Sequence, residues 1–167
     1  MRRFPVAVAL AALAGGSGFV NRPVSAAPTG KVVVSHATVT AAPANGESAV
    51  VLSITNNSKG PISLTSVSSP VSGMSMMYFD QNMRQGDHAM AWLTNILVQP
   101  GHVQKLALRY QGAMLSELHS ALVKGSTVRL VVKWSDFQSA RSLTIEARVV
   151  AAPKGLHFHT SAMNMQM

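Results

Sequence analysis

Apolar and polar residues alternate along most of the chain from Lys31 to Val150, in short runs that end at turn residues. Lys31 to Thr40 is rich in Val and Thr, Pro43-Ala44-Asn45-Gly46 reads as a turn, and Ser48 to Thr55 resumes with Val50, Val51, Leu52 and Ile54. Asn56 to Pro61 breaks the pattern again, and Ile62, Leu64 and Val67 make a third strand that stops at Ser68-Ser69-Pro70. Val71 to Gly86 has no regular period. Strand pattern returns from Ala89 to Val98, stops at Pro100-Gly101, and resumes from Val103 to Tyr110, where Leu106 and Leu108 alternate with Lys105 and Arg109. Ala113 to Val123 places Met114, Leu115, Leu118 and Leu122 at helical spacing and predicts a short helical turn. Thr127 to Trp134 and Ser142 to Val150 are two further alternating strands. About seven or eight short strands at this spacing predict an antiparallel β-sandwich or barrel.

Both ends of the chain depart from this pattern. Arg2 and Arg3, the apolar run Val6 to Ala14 and the small residues Val24-Ser25-Ala26 form a secretory leader, so residues 1–26 are read as a signal peptide and the mature chain as beginning near Ala27. The apolar run is shorter than the roughly 20 residues of a membrane-spanning helix, and a lipoprotein cysteine is absent. The expected location is a periplasm or the cell exterior, with no membrane insertion of the mature chain. Residues 27–150 then form one domain. After the linker Ala151 to Gly155, Leu156 to Met167 carries no core periodicity, which leaves residues 151–167 as a tail free to act as a ligand arm.

Composition narrows the chemistry. The formal charge is +8, from 14 Lys and Arg against 6 Asp and Glu. Three of the basic residues, Arg2, Arg3 and Arg22, leave with the leader, and the rest are scattered singly, so no basic cluster tracks a nucleic acid. Six isolated acidic residues do not build a calcium or magnesium cage. No phosphate loop, nucleophile elbow, His-Glu-x-x-His motif or paired carboxylates are present, which argues against an enzyme.

With no Cys, there is no disulfide, thiolate site or cysteine nucleophile, whereas Met is abundant at ten residues. Met74, Met76, Met77 and Met83 cluster within the irregular stretch, followed by His88 and Met90, and Met114 stands further on. The tail adds His157, His159, Met163, Met165 and Met167, with like ligands at alternate positions of an extended chain. Thioether sulfur is a soft donor that suits Cu(I), and imidazole accepts either copper oxidation state. His36, His102 and His119 occur singly and read as solvated surface residues. Met114 and Met90 also have an alternative account as core filler, because Met adapts to irregular gaps.

The segments Val34-Ser35-His36-Ala37, Ala49 to Asn56, Leu64 to Pro70, Pro100-Gly101 and Met114-Leu115 resemble the periplasmic copper chaperones of the PCu(A)C type, over nearly all of Val32 to Val150. The resemblance implies an all-β, cupredoxin-like antiparallel β-barrel that carries Cu(I) and is associated with metalating the copper centre of cytochrome oxidase. The family's copper motif is a His, ten residues, a Met, twenty-one residues, then His-x-Met. Its spacing falls on positions 79, 90, 112 and 114. Met90 and Met114 occupy both Met positions, while Phe79 and Gly112 replace both His residues.

Two thioethers alone make an incomplete site. The replacement ligands expected nearby are Met76, Met77 and His88, together with the tail residues His157, His159, Met163, Met165 and Met167. The resulting expectation is an exported Cu(I) metallochaperone whose partners are the copper ion and a cupro-protein acceptor such as a cytochrome oxidase subunit. The competing expectation is a degenerate cupredoxin-like binding or structural module that no longer carries copper.

Overall fold

The computed structural model describes residues 31–80, 90–136 and 138–154. The leader, most of the tail and the segment 81–89 lie outside them, and with them His88, Met83, His157, His159, Met163, Met165 and Met167. Ten strands are present among the described residues: β1 (Val32–Thr40), β2 (Ser48–Asn56), β3 (Ile62–Ser68), β4 (Ser72–Asp80), β5 (Met90–Leu93), β6 (Ile96–Val98), β7 (Val103–Leu106), β8 (Gln111–Leu118), β9 (Thr127–Asp136) and β10 (Ser139–Val150).

They form one sheet in the order β5-β4-β8-β2-β1-β10-β9-β3-β6, with β7 pairing to β2 off that path. Every pairing is antiparallel except β1 with β10, which run parallel through Thr38–Arg148, Val39–Val149 and Thr40–Val150. The outermost strands β5 and β6 are joined only by Thr94 and Asn95. Since a residue spans at most about 3.6 Å, the two edges must lie close together and the sheet curls into a nearly closed barrel. One core records this closure. It unites Met77 and Leu115 from one end of the strand order with Leu64, Ile96 and Val98 from the other.

Strand alternation supplies that core. Leu52, Ile54, Leu64, Leu106, Leu130 and Val132 are all essentially inaccessible to solvent, and each such side chain contributes about 1.5–3 kcal/mol relative to an exposed one. Asn56, fully buried at the end of β2, closes one end of the barrel with polar bonds. Its amide donates to the carbonyls of Gly60 (3.0 Å) and Val98 (2.9 Å), and its side-chain oxygen accepts from the Ser58 N–H at 3.0 Å. At the β9–β10 turn, the N–H groups of Ser139 and Gln138 hold the Asp136 carboxyl below the usual carboxylate range.

Two expectations change. Ala113 to Val123 does not form a helical turn: Gln111–Leu118 is strand β8. Ala113 and Leu115 face the core, and Glu117 adopts a left-handed backbone (φ 53°), after which Leu118 is again in the core. That local change of phase imitates a helical spacing of apolar residues. The stretch from Val71, expected to be irregular, is instead strand β4 from Ser72 to Asp80, held between β5 and β8. Its own side chains carry no clear period because both of its faces are covered near Met77 and Tyr78.

Candidate metal centre

Strand β4 carries most of the candidate ligands, and its pairing decides which of them meet. On β8 its partners are Met74–Ser116, Met76–Met114, Met77–Ala113, Tyr78–Gly112 and Phe79–Gln111. On β5 they are Met77–Leu93, Tyr78–Trp92, Phe79–Ala91 and Asp80–Met90. Directly opposed residues share a face, and successive residues alternate between faces.

Met77 and Ala113 belong to the hydrophobic core, with Leu93 packed against it. The other face of the ladder therefore carries Met74, Met76, Tyr78 and Asp80 from β4, Gly112, Met114 and Ser116 from β8, and Met90 and Trp92 from β5. Met77 is buried in the core and is not brought to Met76 or Met114. Phe79, expected from the resemblance in sequence to stand at a His position, shares the Met77 row and not the row of Met90, Gly112 and Met114.

Met76 and Met114 form a directly opposed pair, with Cβ atoms expected about 4.5–5.5 Å apart. Met74 opposes Ser116 and is the diagonal neighbour of Met114, at roughly 7–8 Å. Accessibility is graded across this group. Met74 is 46% exposed, Met76 is half-buried and Met114 is fully buried. The Ser116 hydroxyl is buried and has no hydrogen-bond partner, the one side-chain atom in that condition among the described residues.

Met90 lies elsewhere on the same face. It opposes Asp80, four residues along β4 from Met76, and sits on the far flank of β4 from Met114. Two strand spacings and four residues of register therefore lie between Met90 and Met114 along the sheet. His36, on the bulge of β1, and His102 and His119 are exposed, as expected. Among the described residues no three His, Asp or Glu side chains converge to hold a metal.

Between the two Met positions stands Tyr78, which sequence reasoning missed. Its side chain is fully buried and its hydroxyl donates to the Leu108 carbonyl at 3.3 Å. The ring lies over Gly112. A Cβ at position 112 would come within 2.5 Å of the Tyr78 Cζ and hydroxyl oxygen and 2.6 Å of the Ala107 carbonyl oxygen. Gly112 is thus required for this packing, and the space beside it is filled by a phenol. Burial, and secondarily the negative charge of Asp80, push the Tyr78 hydroxyl up to about 12. Ser116 was missed as well. The signal for both residues was their alternate spacing with Met76 and Met114, which becomes informative only once both segments are known to be strands.

A groove of about 880 Å³ lies between Lys31, Lys59, Ile62, Trp134 and Arg141. It shares no residue with the Met face, so the thioethers do not line that groove.

The barrel matches solved structures of copper-chaperone domains. The copper-bound PCuAC domain from PmoF2 superposes with a TM-score of 0.62 at 18% identity, covering 76% of this chain and 98% of that one. The apo PCuAC domain from PmoF1 gives 0.61 at 20% identity, covering 76% and 99%. The Cu(I) form of DR1885 from Deinococcus radiodurans gives 0.57 at 24% identity, covering 84% and 87%. The fold is therefore the cupredoxin-like barrel of PCuAC domains. The LpqE-like lipoprotein family matches residues 32–149, and the chain belongs to that family. No curated protein matches the chain in sequence.

Proposed function

We propose that this is an exported Cu(I) carrier that holds copper through Met and His ligands and hands it to an acceptor such as the copper centre of cytochrome oxidase. The observation that carries the reading is the opposed Met76–Met114 pair on the non-core face of a PCuAC-like barrel. Thioethers select a soft monovalent ion, and the chain offers no thiolate as a competing donor. Two structural neighbours, one copper-bound and one in its Cu(I) form, support copper as the cargo. Membership of a lipoprotein family and the leader-like residues 1–26 support export.

The protein's part in such a transfer is binding and release, with no bond made or broken in a substrate. Neutral thioethers leave the ion's positive charge largely uncompensated, which keeps each bond weak and exchangeable. An acceptor can then replace one Met at a time. Met90, His88, His157, His159, Met163, Met165 and Met167 are the further ligands of this proposal. They extend the donor set beyond Met76 and Met114 and offer places for copper to be caught or passed on.

One observation favours the second reading, a structural module without copper: Tyr78 packs over Gly112, where the family motif carries a His. Anaerobic competition against a chromophoric Cu(I) chelator separates the two. Mature protein is expected to retain Cu(I), and a chain truncated after Gly155 to retain it less well. Equal retention by the two chains removes the tail from the site. No retention by the mature protein establishes the structural reading.

A further inference from the structure

We propose that Met74, Met76 and Met114, with the Ser116 hydroxyl, form a distinct thioether site for one monovalent soft ion, Cu(I) or Ag(I). This site keeps Met114 and is displaced along the β4–β8 ladder from motif positions 90 and 112. The inference rests on the copper reading above and specifies where on this chain the ion sits.

Four observations converge on that corner. The register opposes Met76 to Met114 and Met74 to Ser116 on consecutive same-face pairs, so three sulfur atoms on flexible side chains can reach a common point. The route toward position 112 is closed, because the Tyr78 ring occupies the space a side chain there would need. Met90 is removed from Met114 by four residues along β4 and by two strand spacings across it, whereas Met76 faces Met114 directly. Finally, Ser116 is 7% exposed and its hydroxyl is buried and unpartnered. A buried hydroxyl left without a hydrogen bond is destabilising, and an ion held by the adjacent thioethers gives its oxygen a partner.

The graded exposure of the three Met residues supplies a path for the ion. Met74, exposed, is placed to take the ion first, Met76 carries it inward, and buried Met114 is the last donor engaged. Release reverses this order, with Met74 the sulfur an acceptor displaces first. The donor set contains no imidazole or carboxylate, so it discriminates for Cu(I) and Ag(I) against Cu(II) and Zn(II).

The test uses the full mature chain carrying ¹³C-methyl Met, titrated with Ag(I) as a redox-inert probe, with resonances assigned from single Met→Leu variants. The methyl signals of Met74, Met76 and Met114 are expected to move together and saturate at one equivalent, while those of Met77 and Met90 stay in place. Met74→Leu is expected to weaken Ag(I) binding about tenfold or more, and Met77→Leu to leave it unchanged. Met74 is exposed, so its variant keeps the test sound if Met114→Leu fails to fold. Retained metal with shifts confined to Met90 or to Met163, Met165 and Met167 overturns this site while the copper reading stands. Absence of both metal retention and any methyl shift overturns both.

Discussion

Met76 and Met77 are neighbours in sequence with opposite fates. Met77 points into the barrel, packed with Ala113 and Leu93, and is 4% exposed. Met76 points the other way, opposite Met114, next to an unpaired hydroxyl. The same contrast holds for the rows around them: Met77, Ala113 and Leu115 of the β4–β8 ladder pack into the core, and the other face combines thioethers, a phenol, a carboxylate and a serine. A side chain's chemistry does not by itself make it a ligand. The pleat decides whether a thioether spends its polarizability on core packing or offers a lone pair to an ion.

The largest effect expected from breaking this contrast is on stability. Met77→Ala leaves a cavity in the core and should lower the unfolding free energy by about 2–5 kcal/mol in urea denaturation. A similar cost for Met76→Ala would mean the two faces are not different in kind. Next comes the site of closest approach. Gly112→Ala forces a methyl into the Tyr78 ring and the Ala107 carbonyl, with an expected loss of about 1–3 kcal/mol in the same assay.

A smaller effect concerns pH. Tyr78 ionises near 12 in the folded chain against an ordinary 10.0, so burial of its neutral form contributes stability that is intact below pH 10. That contribution declines as pH rises from 10 toward 12. Between pH 9 and pH 11 the loss should reach about 1 kcal/mol, and Tyr78→Phe should flatten that part of the stability profile. Smallest of all, Met77→Leu conserves volume and should cost less than about 1.5 kcal/mol, with Cu(I) retention unchanged in chelator competition.

Much of the barrel was legible in the residues. The alternation in Ser48–Asn56, Thr127–Asp136 and Ser139–Val150 marks strands because one face of each meets the core. Pro and Gly punctuation marks their ends. Strands β4 and β8 were obscured for physical reasons. Near Met77 and Tyr78 both faces of β4 are covered, which erases alternation, and the left-handed Glu117 shifts the phase of β8 so that Met114, Leu115 and Leu118 imitate a helix. The Ala89–Val98 run concealed a crossing between the two sheet edges at Thr94 and Asn95, because a strand that continues and one that changes partner have the same local pattern.

The candidate site was legible in kind and not in detail. Soft donors without Cys are what the proposal of a soft ion rests on, and the spacing resemblance singled out Met90 and Met114. Nothing in a linear spacing shows that Met76 is the residue facing Met114, or that Tyr78 fills the space in front of Gly112. Those relations depend on register, and a slip of one residue would exchange Met76 for Met77.

By itself, then, the sequence determined a strand-built domain, basic residues scattered singly along it, and a stock of thioether and imidazole side chains without thiols. These follow from residue identity and local period, which require no knowledge of neighbours. The tertiary structure alone decided which Met residues are core and which form a cluster, and that position 112 must be Gly beneath a buried Tyr. Such choices are made between strands, where one residue of register reverses the face of every side chain.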